Sequence, residues 1–285
     1  MRHGSLGQFL DGGKAALARG PVGIVLAEDG VELGSTLRHH LDCGFRALAV
    51  FAAPGTPMPP EADDPRVHLV LADLAGDGAM GRIVNACVKA APPGTWMAYL
   101  FNAEYLFYPF REHRTVGELC AFAAEERRDA ILTYVIDLYA GDLSRAPSGV
   151  SLEDAHLDRT GYYALGRKGT PERQLDFFGG LKWRFEEHVP PARRRIDRVS
   201  LFRARPGLLL REDHTFSVPE YNTYACPWHN SPTAALCSFR TVKALKRNPA
   251  SRDAIPTFRW HGSTRFGWTS QELLDLGLME PGQWF

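Results

Sequence analysis

Short apolar runs alternate with amphipathic stretches through the first half of this chain. The run VGIVLA at 22–27 is apolar at every position, the pattern of a strand covered on both faces. Over 31–42, Leu33, Leu37 and Leu41 fall on one face of a predicted helix, and Gly44 supplies its stop. RALAVFA at 46–52 predicts a second strand. The link at 53–66 is too rich in Pro and Gly for helix or central strand. VHLVLA at 67–72 predicts a third strand. Asp77 or Gly78 then opens a helix with Met80, Ile83, Val84, Cys87 and Val88 on one face, closed by Pro92 to Gly94. WMAYLF at 96–101 is a fourth strand. Thr115 and Glu118 stand at the spacing of a capping box, starting a helix to about Arg128, and AILTYVIDLY at 130–139 reads as a long strand apolar on both faces.

Strand–helix–strand repeats of this length predict an α/β fold with a mainly parallel central sheet and helices outside, a three-layer sandwich over roughly residues 18–140. Beyond Tyr139 the rhythm stops. Residues 141–174 are polar with Gly and Pro and read as an excursion or active-site loop region. Residues 175–285 form an aromatic-rich, basic region, in which Thr269 and Glu272 repeat the capping-box spacing ahead of a short helix through Leu276. The expected organisation is residues 1–140 as one half and 141–285 as the other, in one continuous domain.

Charge narrows the function. Lys and Arg number 33 against 33 Asp and Glu, so the chain lacks the basic excess of a nucleic-acid clamp, and no nucleic-acid partner is expected. No apolar run reaches the roughly 18 residues of a membrane span, and the first ten residues do not form a signal peptide, which points to the cytoplasm. Five scattered cysteines fit small buried hydrophobes of a reducing compartment better than a disulfide framework.

In open parallel sheets, ligands bind outside the carboxyl ends of the strands. Here the first strand runs out into Glu28 and Asp29, the third ends at Asp73, and the fourth ends at Asn102-Ala103-Glu104. Acidic and amide groups on such a rim can accept from ribose hydroxyls and base N–H groups, and carboxylates can hold Mg²⁺ or Mn²⁺ beside phosphates. Polar residues also end strands simply as turn formers and caps. Neither GxGxxG nor GxxxxGK[ST] is present, so neither a dinucleotide fingerprint nor a P-loop serves the phosphates. No Gly-x-Ser-x-Gly elbow is present either.

Several of these segments resemble blocks of the family 2-like glycosyltransferases of GT-A fold. VGIVLAEDGVELGSTLRHHLDCGF resembles the family's opening, and TWMAYLFNAEYLFYPF its Asp-x-Asp segment. LDFFGGLKWRF, RVSLFRARPGLLLREDHTF and AALCSFRTVKALKR resemble its later blocks, in the family's order, from about Val22 to Arg247. The resemblance implies sugar transfer from a nucleotide-sugar donor, held by the first half, to a glycan or lipid-linked acceptor held by the second, in surface-polysaccharide assembly, with a divalent cation at the Asp-x-Asp position.

The chain departs from the family at two places. Asn102-Ala103-Glu104 stands at the metal motif, and Ser238 stands where a later block carries its His. An amide oxygen binds a divalent cation less well than a carboxylate, and His229 could supply a compensating ligand. The expected donor-binding set is Glu28, Asp29, Asp73, Asn102 and Glu104, with Asn102, Glu104 and His229 for Mg²⁺ or Mn²⁺. An inverting transfer needs a base for the acceptor hydroxyl and positive charge for the leaving diphosphate. Glu186 and Glu187 are the base candidates, ahead of Asp137 late in the long strand; the other reading of the pair is a solvated charged stretch. His214 matches the family's late His and would contact the donor phosphates. Trp183 and Arg184 would bind the acceptor, Trp183 by stacking on a sugar face. Arg193, Arg194, Arg195 and Arg198 read as a solvated face or as a phosphate contact. Cys226-Pro-Trp-His229 lacks the second ligand pair of a zinc site. The C-terminal aromatics pack on the core or touch a membrane surface holding a lipid-linked acceptor. The rival reading keeps the fold for nucleotide or glycan binding without catalysis.

Overall fold

The computed structural model describes residues 1–167, 175–222 and 231–284. The chain is α/β, with a large mixed sheet of mostly parallel strands. Its elements in order are β1 (Arg2–His3), α1 (Leu6–Gly12), α2 (Lys14–Leu17), β2 (Val22–Ala27), α3 (Leu33–Asp42), β3 (Ala47–Ala52), β4 (Val67–Leu71), α4 (Ala79–Ala90), β5 (Trp96–Phe101), β6 (Glu104–Phe107) and α5 (Val116–Glu125). There follow β7 (Ala130–Asp137), β8 (Tyr139–Ala140), β9 (Ala155–Asp158), β10 (Tyr163–Gly166), β11 (Leu175–Phe178), α6 (Gly180–Arg184), β12 (Asp197–Arg203), β13 (Ala234–Ser238), α7 (Arg240–Arg247), α8 (Pro249–Arg252), β14 (Ser263–Arg265) and α9 (Ser270–Asp275), with short 3₁₀ turns between.

The chain forms two compact units that interleave along the sequence rather than dividing near residue 140. The first comprises Met1–Leu106, His113–Leu132 and Val199–Asn222, the second Phe107–Glu112, Thr133–Arg198 and Thr223–Phe285.

In the first unit, β1, β4, β3, β2 and β5 lie side by side and parallel. Every residue of β2, β3 and β5 is buried, as continuous apolar runs require when both faces of a sheet are covered. β12 then pairs antiparallel with β5, Leu201 opposite Ala98. Helix α3 begins at Leu33 rather than 31 because Asp29 Oδ1 accepts the Val31 N–H at 2.9 Å in a turn, and Glu32 takes a left-handed φ of 52° before the first helical residue. The predicted stop is real: Gly44 has φ 91°, which a side chain disfavours, and its N–H closes on Leu41. Helix α4 buries Ile83, Val84, Cys87 and Val88 of the predicted face and leaves Met80, in its first turn, half-buried.

The capping box at α5 is complete. Glu118 N–H donates to Thr115 Oγ1 at 3.3 Å, and Glu118 Oε2 accepts from Thr115 N–H at 2.7 Å. Replacing Thr115 by Ala is expected to lower stability by about 1 kcal/mol, read from the urea midpoint, because it orphans an N-terminal donor on an exposed turn. The second predicted box is only half made. Thr269 accepts from Glu272 N–H, but the Glu272 carboxylate turns to the Gly267 N–H at 2.6 Å.

In the second unit, β7 from Thr133 onward runs parallel to β13, so that Asp137 and Ser238 sit opposite each other at the carboxyl ends. The predicted long strand breaks at Leu138, into β7 and β8. β8, β9 and β14 form an antiparallel three-stranded sheet, and β10 and β11 a hairpin. The C-terminal aromatics pack inward: Trp284 meets Tyr108 and Phe110, and Trp268 lies against Phe107 and Phe266. Among the described residues no helix is long and apolar enough to cross a membrane. Cys43, Cys87, Cys120 and Cys237 are buried free thiols, and burial pushes Cys87 up to about 12.

Candidate functional site

The polar rim at the carboxyl ends of β2 and β5 is tied together by one amide. Asn102 Oδ1 accepts the Glu28 N–H at 3.0 Å, and its Nδ2 donates to Asp29 Oδ1 at 2.6 Å and to the Val31 carbonyl at 2.9 Å. Asn102 is fully buried. The turn that delivers it is tight: Ala103 has φ 61°, and its N–H is held by Thr36 Oγ1 at 2.8 Å. The sequence therefore brings Glu28, Asp29 and Asn102 together as expected, but Asn102 serves as the strut of the 28–31 loop.

Glu104 goes elsewhere. It opens β6, all four residues of which are buried, and its carboxylate folds back to accept the Phe101 N–H at 2.9 Å. The sequence pattern hid this strand, because EYLF follows β5 after only two residues. Asp73 is exposed and accepts the Ala75 N–H at 2.9 Å, a local turn of its own. Of the predicted donor set, then, Glu28, Asp29 and Asn102 are joined by hydrogen bonds, whereas Glu104 Oε2 and Asp73 Oδ1 each accept an N–H of their own turn. The divalent cation implied by the family resemblance is poorly matched by Asn102 and Glu104, whose buried oxygens already accept backbone N–H groups. His229 and Cys226 lie outside the described residues, and among those described no cluster of three or more His, Cys, Asp or Glu could hold a metal ion.

His214 sits on a tight turn with φ 64°, its N–H bonded to the Arg211 carbonyl at 3.0 Å. Its ring stacks on the buried Tyr99, 5.9 Å between centroids and 9° between planes, with Nδ1 3.1 Å from the phenol oxygen. This holds the half-buried imidazole in one orientation.

In the second unit the predicted acceptor and base residues separate into two kinds. Glu186 and Glu187 are exposed: Glu186 pairs with Arg194 at 3.0 Å, and Glu187 lies 3.8 Å from His188. Arg194 also donates to the Val189 and Glu186 carbonyls, and Arg195 pairs with Asp176 at 3.0 Å, so much of the basic run braces its own loop. Trp183 is 38% exposed and meets Trp260 edge-on, leaving an accessible ring suited to a sugar face. Arg184, expected at the acceptor, is instead largely buried. Its guanidinium bonds both carboxylate oxygens of Asp158 at 3.0 and 3.2 Å and the Phe258 carbonyl at 2.6 Å, and lies over the Trp260 ring at 4.8 Å.

The carboxyl that the sequence places behind Glu186 and Glu187 is Asp137. It ends β7, is 1% exposed, and its Oδ2 accepts the Leu181 N–H at 2.9 Å at the start of α6. Among the described residues its Oδ1 has no hydrogen-bond partner. Gly180, with φ 63°, lets the backbone approach so closely that a Cβ there would lie 2.9 Å from Oδ2. Burial is the main reason the Asp137 carboxyl stays protonated above the ordinary value of 3.8; the Lys182 ammonium pulls the other way without offsetting it. A carboxyl so perturbed, at the carboxyl end of parallel strands, is a candidate for proton transfer. The signal available in the sequence was a single Asp inside an otherwise apolar run, which burial was bound to perturb.

Because the folded value of Asp137 is raised, the favourable contribution is full below the unfolded value of about 3.9 and is lost as pH rises through the folded one. Asp137→Asn is therefore expected to be more stable than the parent at pH 7 to 8, by about 1 kcal/mol or more, with the gap closing toward pH 4. Urea midpoints of the two proteins across that range are the measurement, and a gap that widens on acidification contradicts it.

No known family model matches this chain, and no curated protein does.

Proposed function

We propose that the chain is a glycosyltransferase with GT-A-like architecture, moving a sugar from a nucleotide-sugar donor to a glycan or lipid-linked acceptor. The observation that carries this reading is the rim of the first unit, where Asn102 links the 28–31 loop after β2 to the end of β5. That edge of an open parallel sheet is where nucleotides are received. Glu28 and Asp29 are suited to accept from the ribose hydroxyls, since Asp29 is oriented by Val31 and Asn102. Trp183 offers the second unit an exposed aromatic face for a sugar ring. Glu186 and Glu187, exposed in the second unit, are the carboxylates suited to take a proton from an acceptor hydroxyl, whereas Asp137, buried and held protonated, is suited to keep a proton.

A second reading, nucleotide or glycan binding without catalysis, is favoured by the state of Asn102 and Glu104, which are buried and already bonded to backbone N–H groups. Thermal unfolding in the presence of UDP, GDP or CMP separates these readings from no nucleotide role at all. At a nucleotide concentration of about 100 times Kd, linkage gives about 2.7 kcal/mol, a rise of several degrees in Tm. Asp29→Ala is expected to remove that rise. The absence of any shift with all three nucleotides overturns both readings. Binding with no donor turnover, in the absence or presence of acceptors, selects the non-catalytic one.

A further inference from the structure

The second unit holds a cavity of about 250 Å³ apart from the residues assigned above. Five of its walls are the rings of Tyr134, Tyr162, Tyr163, Phe177 and Phe178, and Glu280 is the charged residue in the lining; the remainder is aliphatic or glycine. The rings come from β7 and from the β10–β11 hairpin, where pairing sets Tyr163 opposite Phe178. Tyr134 and Phe177 meet nearly edge to face, centroids 5.1 Å apart at 66°, while Tyr163 and Phe178 stack at 5.3 Å and 18°. The walls thus present aromatic surface in more than one orientation. Tyr163 is 42% exposed, so the cavity can be reached from solvent on that side.

The charge of the cavity is negative. Glu280 pairs with no Lys, Arg or His among the described residues, and its side chain reaches water. Buried Asp197, close to Tyr134, is by contrast balanced by Arg167 and Arg195 at 3.7 and 3.9 Å. Burial first, and then the carboxylates of Glu280 and Asp197, hold the Tyr134 phenol above its ordinary range, as a negative field requires.

Chemistry chooses among ligands. A sugar ring needs a hydrogen-bond partner for each of several hydroxyls, and the polar side-chain groups of this lining are three phenols and the Glu280 carboxylate, set among five rings. The Tyr162 hydroxyl is already donated to the Asp158 carbonyl at 2.9 Å. An anion is repelled by Glu280. A methylated ammonium needs no hydrogen bond, is attracted by ring faces within about 6 Å, and gains from one nearby carboxylate. We propose that this aromatic cavity, with Glu280 at its edge, binds the quaternary ammonium group of a choline-like ligand. The site is independent of the sugar-transfer reading.

Calorimetric or NMR titration of the full chain with choline tests this against 3,3-dimethyl-1-butanol, which has the same shape without the charge. Choline is expected to bind about tenfold more tightly, the ratio that desolvated cation–π and carboxylate attraction give. Glu280→Gln, on an exposed side chain, is expected to weaken choline about fivefold or more with unchanged Tm, and Tyr163→Ala to weaken it similarly. Equal affinity for choline and its neutral isostere, an unaltered choline affinity in Glu280→Gln, or no choline binding at millimolar concentration by the folded protein overturns the proposal. So does a preference for free hexoses over choline.

Discussion

Asp158→Ala is expected to destabilise the second unit by about 3–5 kcal/mol, the usual loss when one partner of a buried ion pair is removed. Asp158 is 1% exposed and gathers its neighbours around one carboxylate. It accepts from the Tyr139 hydroxyl, from Arg184 Nη1 at 3.0 and 3.2 Å, and from Trp260 Nε1 at 2.8 Å. Removing it leaves the Arg184 guanidinium among the rings of Trp260, Phe185 and Tyr139 without its counter-charge. Those ring contacts and the bond to the Phe258 carbonyl recover only part of the loss. Asp158→Asn keeps the shape and an acceptor for Trp260 but not the charge, so a smaller loss is expected. The double replacement Asp158→Ala with Arg184→Leu is expected to lose less than the sum of its two single changes, because no buried charge is left unpaired. Urea unfolding followed by tryptophan fluorescence reads the parent and all four variants; since the chain has two units, the transition should be fitted without assuming two states. A loss below about 0.5 kcal/mol for Asp158→Ala, the range of ordinary surface changes, refutes this account of the cluster.

The second large effect concerns Asn102→Asp, which brings the 102–104 segment closer to an Asp-x-Asp motif. If Asn102 were a weakened metal ligand, the substitution should restore Mn²⁺ binding at little cost in stability. The hydrogen bonds predict the opposite. Nδ2 donates to Asp29 Oδ1 at 2.6 Å and to the Val31 carbonyl at 2.9 Å, and a carboxylate oxygen there faces two acceptors and carries a buried negative charge toward Asp29. A loss of about 2–4 kcal/mol at pH 7 is expected, from unsatisfied buried polar groups and like-charge repulsion. The loss should ease as pH falls and the pair takes up a proton. Asn102→Ala is expected to lose about 1–3 kcal/mol without that pH dependence, since it orphans the Glu28 N–H. Thermal unfolding between pH 5 and 8, with and without Mn²⁺, distinguishes the two accounts. Stabilisation of Asn102→Asp by Mn²⁺ to the parent level or above would overturn the strut reading.

Both predictions rest on side chains whose types were plain in the sequence and whose partners were not. Asn102 was identified as a rim residue, and it does stand at the carboxyl end of β5, but its bonding to residues 28–31 joins segments more than 70 positions apart. Arg184 had the chemistry of a ligand contact and spends it on Asp158. Glu186 and Glu187 look like a catalytic pair in one dimension; folded, they stand at the surface beside Arg194 and His188. Asp137, placed behind that pair as a late residue of the long strand, is a carboxyl that burial raises because the strand around it is apolar.

By itself the sequence determined the alternation of strands and helices from residue 22 to residue 101, most of the helix faces, the Gly44 stop and the Thr115 cap. Each depends on interactions between residues a few positions apart, so apolar period and cap spacing suffice to read it. Only the tertiary structure decided the antiparallel placement of β12 beside β5, the interleaving of two units, and which polar groups are consumed inside the protein. Those outcomes depend on long-range pairing and on desolvation. Both are properties of the surroundings that the folded chain creates around a residue, and they carry no local periodicity.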